Sequence, residues 1–274
     1  KIHNILNCIL NSEGIIFIFS EYLEYGCIPL ALALERLGIK RYNDNNIFSG
    51  KKEKQKYIDE NGRLSEKKTG NQASYILLTS NGELSFNKSK EIDALRSDKN
   101  INGEIVKVVI GSSTVAEGLD FKRIREVHIL EPWYNLNKIE QIIGRGIRFC
   151  SHNDLIKEKR NVTVYLHAGY FKDRESIDYY LYKEAERKAK EMGEVETILK
   201  NNAIDCILNN DINHIEKKDV KKLKLITSQI NEDENIICEK IPCDEPYTKI
   251  CSYLDKCDIN CVTQGDYIQP KEFD

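Results

Sequence analysis

The run Gly14-Ile-Ile-Phe-Ile-Phe19, closed by Ser20, has no polar side chain to offer to water. A short apolar run rich in β-branched and aromatic residues reads as a strand buried on both faces. The same pattern recurs at Tyr75–Thr79, Ile105–Ile110, Glu126–Leu130 and Val162–Leu166. Helical segments fall between these runs. Ile28, Leu30, Leu32, Leu34 and Leu37 lie in an Ala/Leu-rich stretch that stops at Gly38, Glu91–Leu95 sits in a short helix, and Asn137–Cys150 reads as another. Buried strands alternating with helices predict an α/β fold, a doubly wound parallel sheet flanked by helices.

Two regions break the alternation. Residues 43–74 are rich in Asn, Lys, Glu and Gly and read as a solvated polar insertion. Beyond Tyr170 a helical extension is expected over residues 170–230, with Ser176–Lys200 as one long helix broken near Gly193. Lys217, Lys218, Lys221, Lys222 and Lys224 form a basic cluster before a Cys-rich tail at 231–274. The sheet domain is therefore assigned to residues 1–169. The chain opens on Lys1 and enters a periodic segment at once, which suggests a piece of a longer protein.

Composition limits the function classes. With 41% hydrophobic and 31% charged residues among 274, the chain suits a globular fold. A net charge of -3 means that any grip on nucleic acid must be local. The apolar runs are too short to span a bilayer, so no membrane partner is expected.

The segment after Trp133 carries chemistry. Asn137 and Glu140 fit a capping pair, and Gln141, Arg145 and Arg148 then share one helix face. Ile139, Ile143 and Ile147 form a neighbouring apolar stripe. Gly144 and Gly146 each cost about 1 kcal/mol relative to Ala, a weakness that suits close approach by another surface. Arginines offer forked donors for phosphate oxygens. Alone, this helix reads as a surface helix whose arginines pair with Glu or Asp. It is preceded, however, by Gly111-Ser-Ser-Thr-Val-Ala-Glu-Gly-Leu-Asp-Phe121, which places Ser112, Ser113, Gly118 and Asp120 at the C-terminal end of a strand. That is where open α/β sheets bind ligands, and where hydroxyls and backbone amides hold phosphate without bulk basic charge.

These stretches, with His128-Ile-Leu-Glu-Pro-Trp-Tyr-Asn135 and Glu140-Gln-Ile-Ile-Gly-Arg-Gly-Ile-Arg-Phe-Cys-Ser-His152, resemble motifs V and VI of superfamily 2 helicases. The branch they most resemble is the DNA-dependent ATPases of large nucleocytoplasmic DNA viruses, which include the poxvirus early transcription factor small subunit and nucleoside triphosphate phosphohydrolase I. Glu131–Asn135 is similar to a segment of their Swi2/Snf2 relatives, and Gly14–Ser20 resembles motif IV. The resemblance covers most of residues 14–208. It implies a RecA-like second motor lobe that works with an N-terminal RecA-like lobe of the same protein.

The resemblance also implies roles for single residues. Arg145 and Arg148 would be arginine-finger candidates beside Gln141, while Gly118 and Asp120 would lie on the side of bound ATP, Asp120 near the nucleotide ribose or the coupling network. Ser20, Thr79, Ser80, Ser112 and Ser113 would follow a nucleic-acid backbone, DNA before RNA. Viral transcription machinery would be a partner, and the viral factory or virion the location. No G-x-x-x-x-G-K-[ST] and no acidic D-E box is present, so phosphate and Mg²⁺ binding would belong to the other lobe, leaving this chain inactive alone. A non-enzymatic scaffold for transcription or packaging partners is the alternative.

The tail follows C-x₄-C-x₇-C-x₅-C-x₃-C. Cys243, Cys251, Cys257 and Cys261 are the four selected as Zn²⁺ ligands, with free thiols as the alternative because no C-x-x-C pair is present. Cys8, Cys27, Cys150 and Cys206 are scattered, as suits reduced thiols.

Overall fold

The computed structural model describes residues 1–44, 46–50, 53–68, 70–85, 87–113, 119–208, 246–249, 251–257 and 259–261. Two compact units divide at Lys183/Glu184. Unit one holds a six-stranded, wholly parallel sheet in the order β2-β5-β6-β1-β7-β8. Its strands are β1 (Ile15–Phe19), β2 (Lys40–Arg41), β5 (Ser74–Leu78), β6 (Val108–Gly111), β7 (Ile124–Ile129) and β8 (Thr163–Leu166). A two-stranded hairpin, β3 (Tyr57–Ile58) with β4 (Leu64–Ser65), forms a second sheet. The helices are α1 (Ile2–Asn11), α2 (Ile28–Arg36), α3 (Lys88–Arg96), α4 (Leu136–Gly146) and α5 (Ile177–Asn201).

The five apolar runs thus become five of the six strands, and β1 and β5 are buried along their whole length. Period-2 alternation splits each strand between two cores. Ile16 and Ile18 pack with α1 and α2 residues such as Ile5, Ile9, Leu30 and Leu34. Ile15, Phe17 and Phe19 pack on the other face with Phe121, Leu95, Ile139 and Ile142. Each such side chain contributes roughly 1.5–3 kcal/mol by leaving water. Phe17 and Phe121 meet with ring centroids 5.1 Å apart.

Exposed along most of its described length, the polar insertion is nevertheless anchored to the core at several points. Glu35, 1% exposed, accepts hydrogen bonds from the Ile47 and Phe48 amides at 2.9 and 2.7 Å and from the Tyr75 hydroxyl at 2.6 Å. Ile58 in the hairpin joins the α1/α2 core. Lys107 Nζ, fully buried, donates to the carbonyls of Ser12, Gly14 and Gly62 at 3.1, 2.6 and 2.6 Å. Burial lowers its pKa to about 7, yet three acceptors match the three N–H groups of the charged form. None of these tertiary partners has a local sequence signal.

The second unit runs from Glu184, and α5 passes through Gly193 unbroken. The glycine is needed there for a different reason: an added Cβ would lie 1.7 Å from the Ser252 carbonyl oxygen. Ser252 Oγ then accepts from Lys200 Nζ at 2.8 Å and donates to Glu196 at 3.0 Å, fixing residues 251–254 on the helix. Cys251 is bonded to Cys257, and Cys206 to Cys261. The anticipated zinc set is therefore corrected. Disulfide-bonded sulfurs offer no thiolates to a metal, Cys206 is not a lone thiol, and Cys243 lies outside the described residues. Among the described residues no group of three His, Cys, Asp or Glu side chains could hold a metal, and no helix is long and apolar enough to cross a membrane.

Candidate nucleotide-facing and nucleic-acid-facing site

Parallel strands bring their C-terminal ends to one rim, where in-register pairing sets Leu78 and Phe19 beside Gly111, and Phe19 beside Ile129. The next residues, Thr79, Ser112, Ser20 and Leu130, therefore form a row. Their hydroxyls are not equivalent. Ser20 is fully buried, with Oγ 3.0 Å from both the Tyr22 carbonyl and Glu131 Oε1. Thr79 is 3% exposed and its hydroxyl closes a turn with Asn81. Ser112 is buried, while Ser80 and Ser113 are exposed. The exposed hydroxyls along this rim are thus those of Ser80 and Ser113, with Ser20 and Thr79 holding the rim's shape.

Glu131 organises that row, a role its sequence context did not reveal. It accepts from Ser20 Oγ at 3.0 Å and from the Glu21 amide at 3.1 Å. Burial raises its pKa, against those hydrogen bonds and Lys1. Next to it, Lys138 Nζ sits 2.7 Å from Glu21 and 3.7 Å above the Trp133 ring, which stacks on Tyr134.

Helix α4 begins at Leu136 with Asn135 as its N-cap, and no side-chain cap bond forms, so the Asn137/Glu140 pair does not start it. It ends at Gly146. Gln141 and Arg145 lie on the helix, but Arg148 lies in the turn beyond it. Ile139 and Ile142 are buried, whereas Ile147 is 46% exposed because the helix has already ended. The glycines differ too. A Cβ on Gly146 would fall 2.8 Å from Val127 Cγ2, so this glycine lets α4 press on β7, whereas a Cβ on Gly144 would meet nothing within 4 Å.

The turn carrying Arg148 is tied down. Its amide bonds Ser151 Oγ, the Arg123 amide donates to the Ser151 carbonyl at 2.9 Å, and His152 Nε2 donates to the Ile124 carbonyl at 2.6 Å. From this mount Arg148 Nη1 reaches Asp120 Oδ1 at 2.5 Å, and Arg145 Nη1 approaches the same oxygen at 3.9 Å. The structure therefore brings Asp120, Arg145 and Arg148 together. Gln141 is exposed on the same helix, and Gly118 lies outside the described residues.

Residues 31–150 match the helicase conserved C-terminal domain family. The chain carries a helicase C-terminal domain. The match takes in the Asp120 loop, α4 and the Arg148 turn. The chain is also 31% identical over 208 residues to 087L of Invertebrate iridescent virus 3, named as a helicase, covering 74% of this chain and 19% of that protein. It is 34% identical over 216 residues to R563 of Acanthamoeba polyphaga mimivirus, named as an ATP-dependent RNA helicase, covering 78% of this chain and 33% of that one. It is 27% identical over 234 residues to the termination factor NPH-I homolog of African swine fever virus, covering 77% and 33% respectively. The chain thus spans at most about a third of the length of each of these relatives.

Proposed function

We propose that the chain is the second motor lobe of an ATP-driven helicase or translocase acting on DNA in viral transcription, in the viral factory or the virion. ATP and Mg²⁺ bind chiefly on a phosphate-binding lobe elsewhere in the same protein. Arg148, flanked by Arg145 and Gln141, supplies the arginine finger to that nucleotide. Asp120 and Gly118 face it from this side, and the exposed Ser80 and Ser113 follow the nucleic-acid backbone, with buried Ser112 between them in the fold.

The observation that carries this reading is the pairing of Asp120 with Arg148 at the ligand-binding rim of a helicase C-terminal domain. Both side chains are substantially exposed, 53% and 40%, and exposed ion pairs contribute about 0–1 kcal/mol. An arginine finger lowers a barrier by about 10³ to 10⁵ in rate, or roughly 4–7 kcal/mol. Charge developing on a transferred phosphoryl group therefore outcompetes Asp120 easily, while Asp120 keeps the guanidinium oriented until then.

In the longer protein that carries the phosphate-binding lobe, Arg148→Ala should abolish DNA-stimulated ATP hydrolysis and leave ATP binding intact. Retained turnover would remove Arg148 from the mechanism. Hydrolysis by residues 1–274 alone would overturn the division of labour. Stimulation by RNA but not DNA would overturn the choice of nucleic acid.

A further inference from the structure

Asp120 can orient a guanidinium only if its own position is fixed, yet its side chain is half exposed. One side is secured by Phe121, which buries its ring against Phe17 and donates its amide to the Arg145 carbonyl at 3.4 Å. The other side is held by Arg96, the last residue of α3. Its Nε and Nη2 both donate to the Asp120 carbonyl oxygen, at 3.3 and 3.0 Å. The end of α3 is in turn joined to the Arg148 turn through Arg123, which is 3% exposed. Arg123 Nη1 donates to the Ser97 carbonyl at 2.9 Å, and its Nε and Nη2 reach Asp154 at 2.9 and 2.6 Å. Asp120 and Arg148 are thus both referenced to one point, the C-terminal end of α3.

We infer that Arg96 is a positioning residue for the arginine finger, acting through the Asp120 main chain without touching nucleotide. The inference rests on the finger role proposed for Arg148. Arg96 is exposed and, among the described residues, its side chain bonds the Asp120 carbonyl alone, so removing it should spare the fold. Replacing it lets Asp120 and, with it, the Arg148 guanidinium drift, and a displacement near 1 Å at a reacting centre costs up to about 10²-fold in rate.

The test uses the longer protein with Arg96→Ala, Arg96→Lys and Arg148→Ala side by side. Arg96→Ala should lower kcat by about 10- to 10²-fold, with the KM for ATP, DNA affinity and melting midpoint unchanged. Arg96→Lys should recover part of the loss, since an ammonium still gives one donor to the carbonyl. An unchanged kcat in Arg96→Ala beside a dead Arg148→Ala would overturn the positioning role and leave the finger standing. A kcat loss matched by a lower melting midpoint, with no rescue by lysine, would assign Arg96 to stability instead. Turnover retained in Arg148→Ala would sink the finger assignment and this inference with it.

Discussion

Gly144 and Gly146 sit two residues apart on α4, and a methyl group added to each meets opposite surroundings. At Gly144 it finds no heavy atom within 4 Å, whereas at Gly146 it lies 2.8 Å from Val127 Cγ2 and 3.3 Å from Ile124 Cγ2. Replacing Gly by Ala inside a helix gains up to about 1 kcal/mol, much of it by restricting the unfolded chain. At Gly144 nothing opposes that gain. Gly146 closes the helix, where the gain is smaller, and β7 is paired on both sides, so Val127 cannot retreat. Overpacking of this kind costs about 1–3 kcal/mol. Gly144→Ala should therefore stabilise the chain by about 0.5–1 kcal/mol, and Gly146→Ala should destabilise it by a similar amount or more.

Each kilocalorie corresponds to roughly 2–4 °C for a unit of this size. Urea titration and thermal melting followed by circular dichroism would resolve the two signs. The same pair tests function. Gly144 lies beside Arg148, whose Nε donates to the Gly144 carbonyl at 3.2 Å. In the longer protein Gly144→Ala should raise stability while lowering DNA-stimulated turnover, a trade expected where a surface is kept bare for an opposing lobe. Equal stabilisation by both alanines would refute the packing argument. Stabilisation by Gly144→Ala at full activity would refute the close-approach role.

Two further outcomes follow from buried polar groups. His128 is fully buried between Glu126 Oε2 at 3.1 Å and His167 Nε2 at 3.0 Å. Burial and His128 lower the His167 pKa to about 4 from 6.5, so the unfolded chain binds the extra proton first and stability falls as pH drops through that window. His167→Gln should flatten the pH dependence of the urea midpoint between those values, and an unchanged slope would refute the assignment. Glu131→Ala strands the Glu21 amide, while Ser20 Oγ keeps the Tyr22 carbonyl, and should cost about 1–3 kcal/mol by chemical denaturation. Ser20→Ala should leave DNA affinity intact because its hydroxyl faces inward, and a loss of affinity at unchanged stability would restore Ser20 as a backbone ligand.

What could be read from the residues themselves follows from the range of the interactions involved. Ile15–Phe19 and Ser74–Leu78 announce their burial within five residues, because side-chain alternation and apolarity are local properties of a strand. The neighbourhood of Asp120 and α4 was legible for a different reason, since a motif fixes which residue types sit at the rim of a parallel sheet. The motif did not carry where α4 stops, and that detail moves Arg148 from a helix face to an anchored turn. The anchors themselves, Arg123 to Asp154 and Arg96 to Asp120, join residues 31 and 24 positions apart. No local pattern encodes such pairs. The same holds for Glu35 and Lys107, which turn a polar insertion into an anchored one through bonds 12 to 95 residues long. Sequence periodicity therefore places the chemistry on the rim, while long-range hydrogen bonds decide how rigidly it is held. For the finger proposed at Arg148, whose contribution would depend on placement within about 1 Å, that second layer would separate binding nucleotide from promoting its hydrolysis.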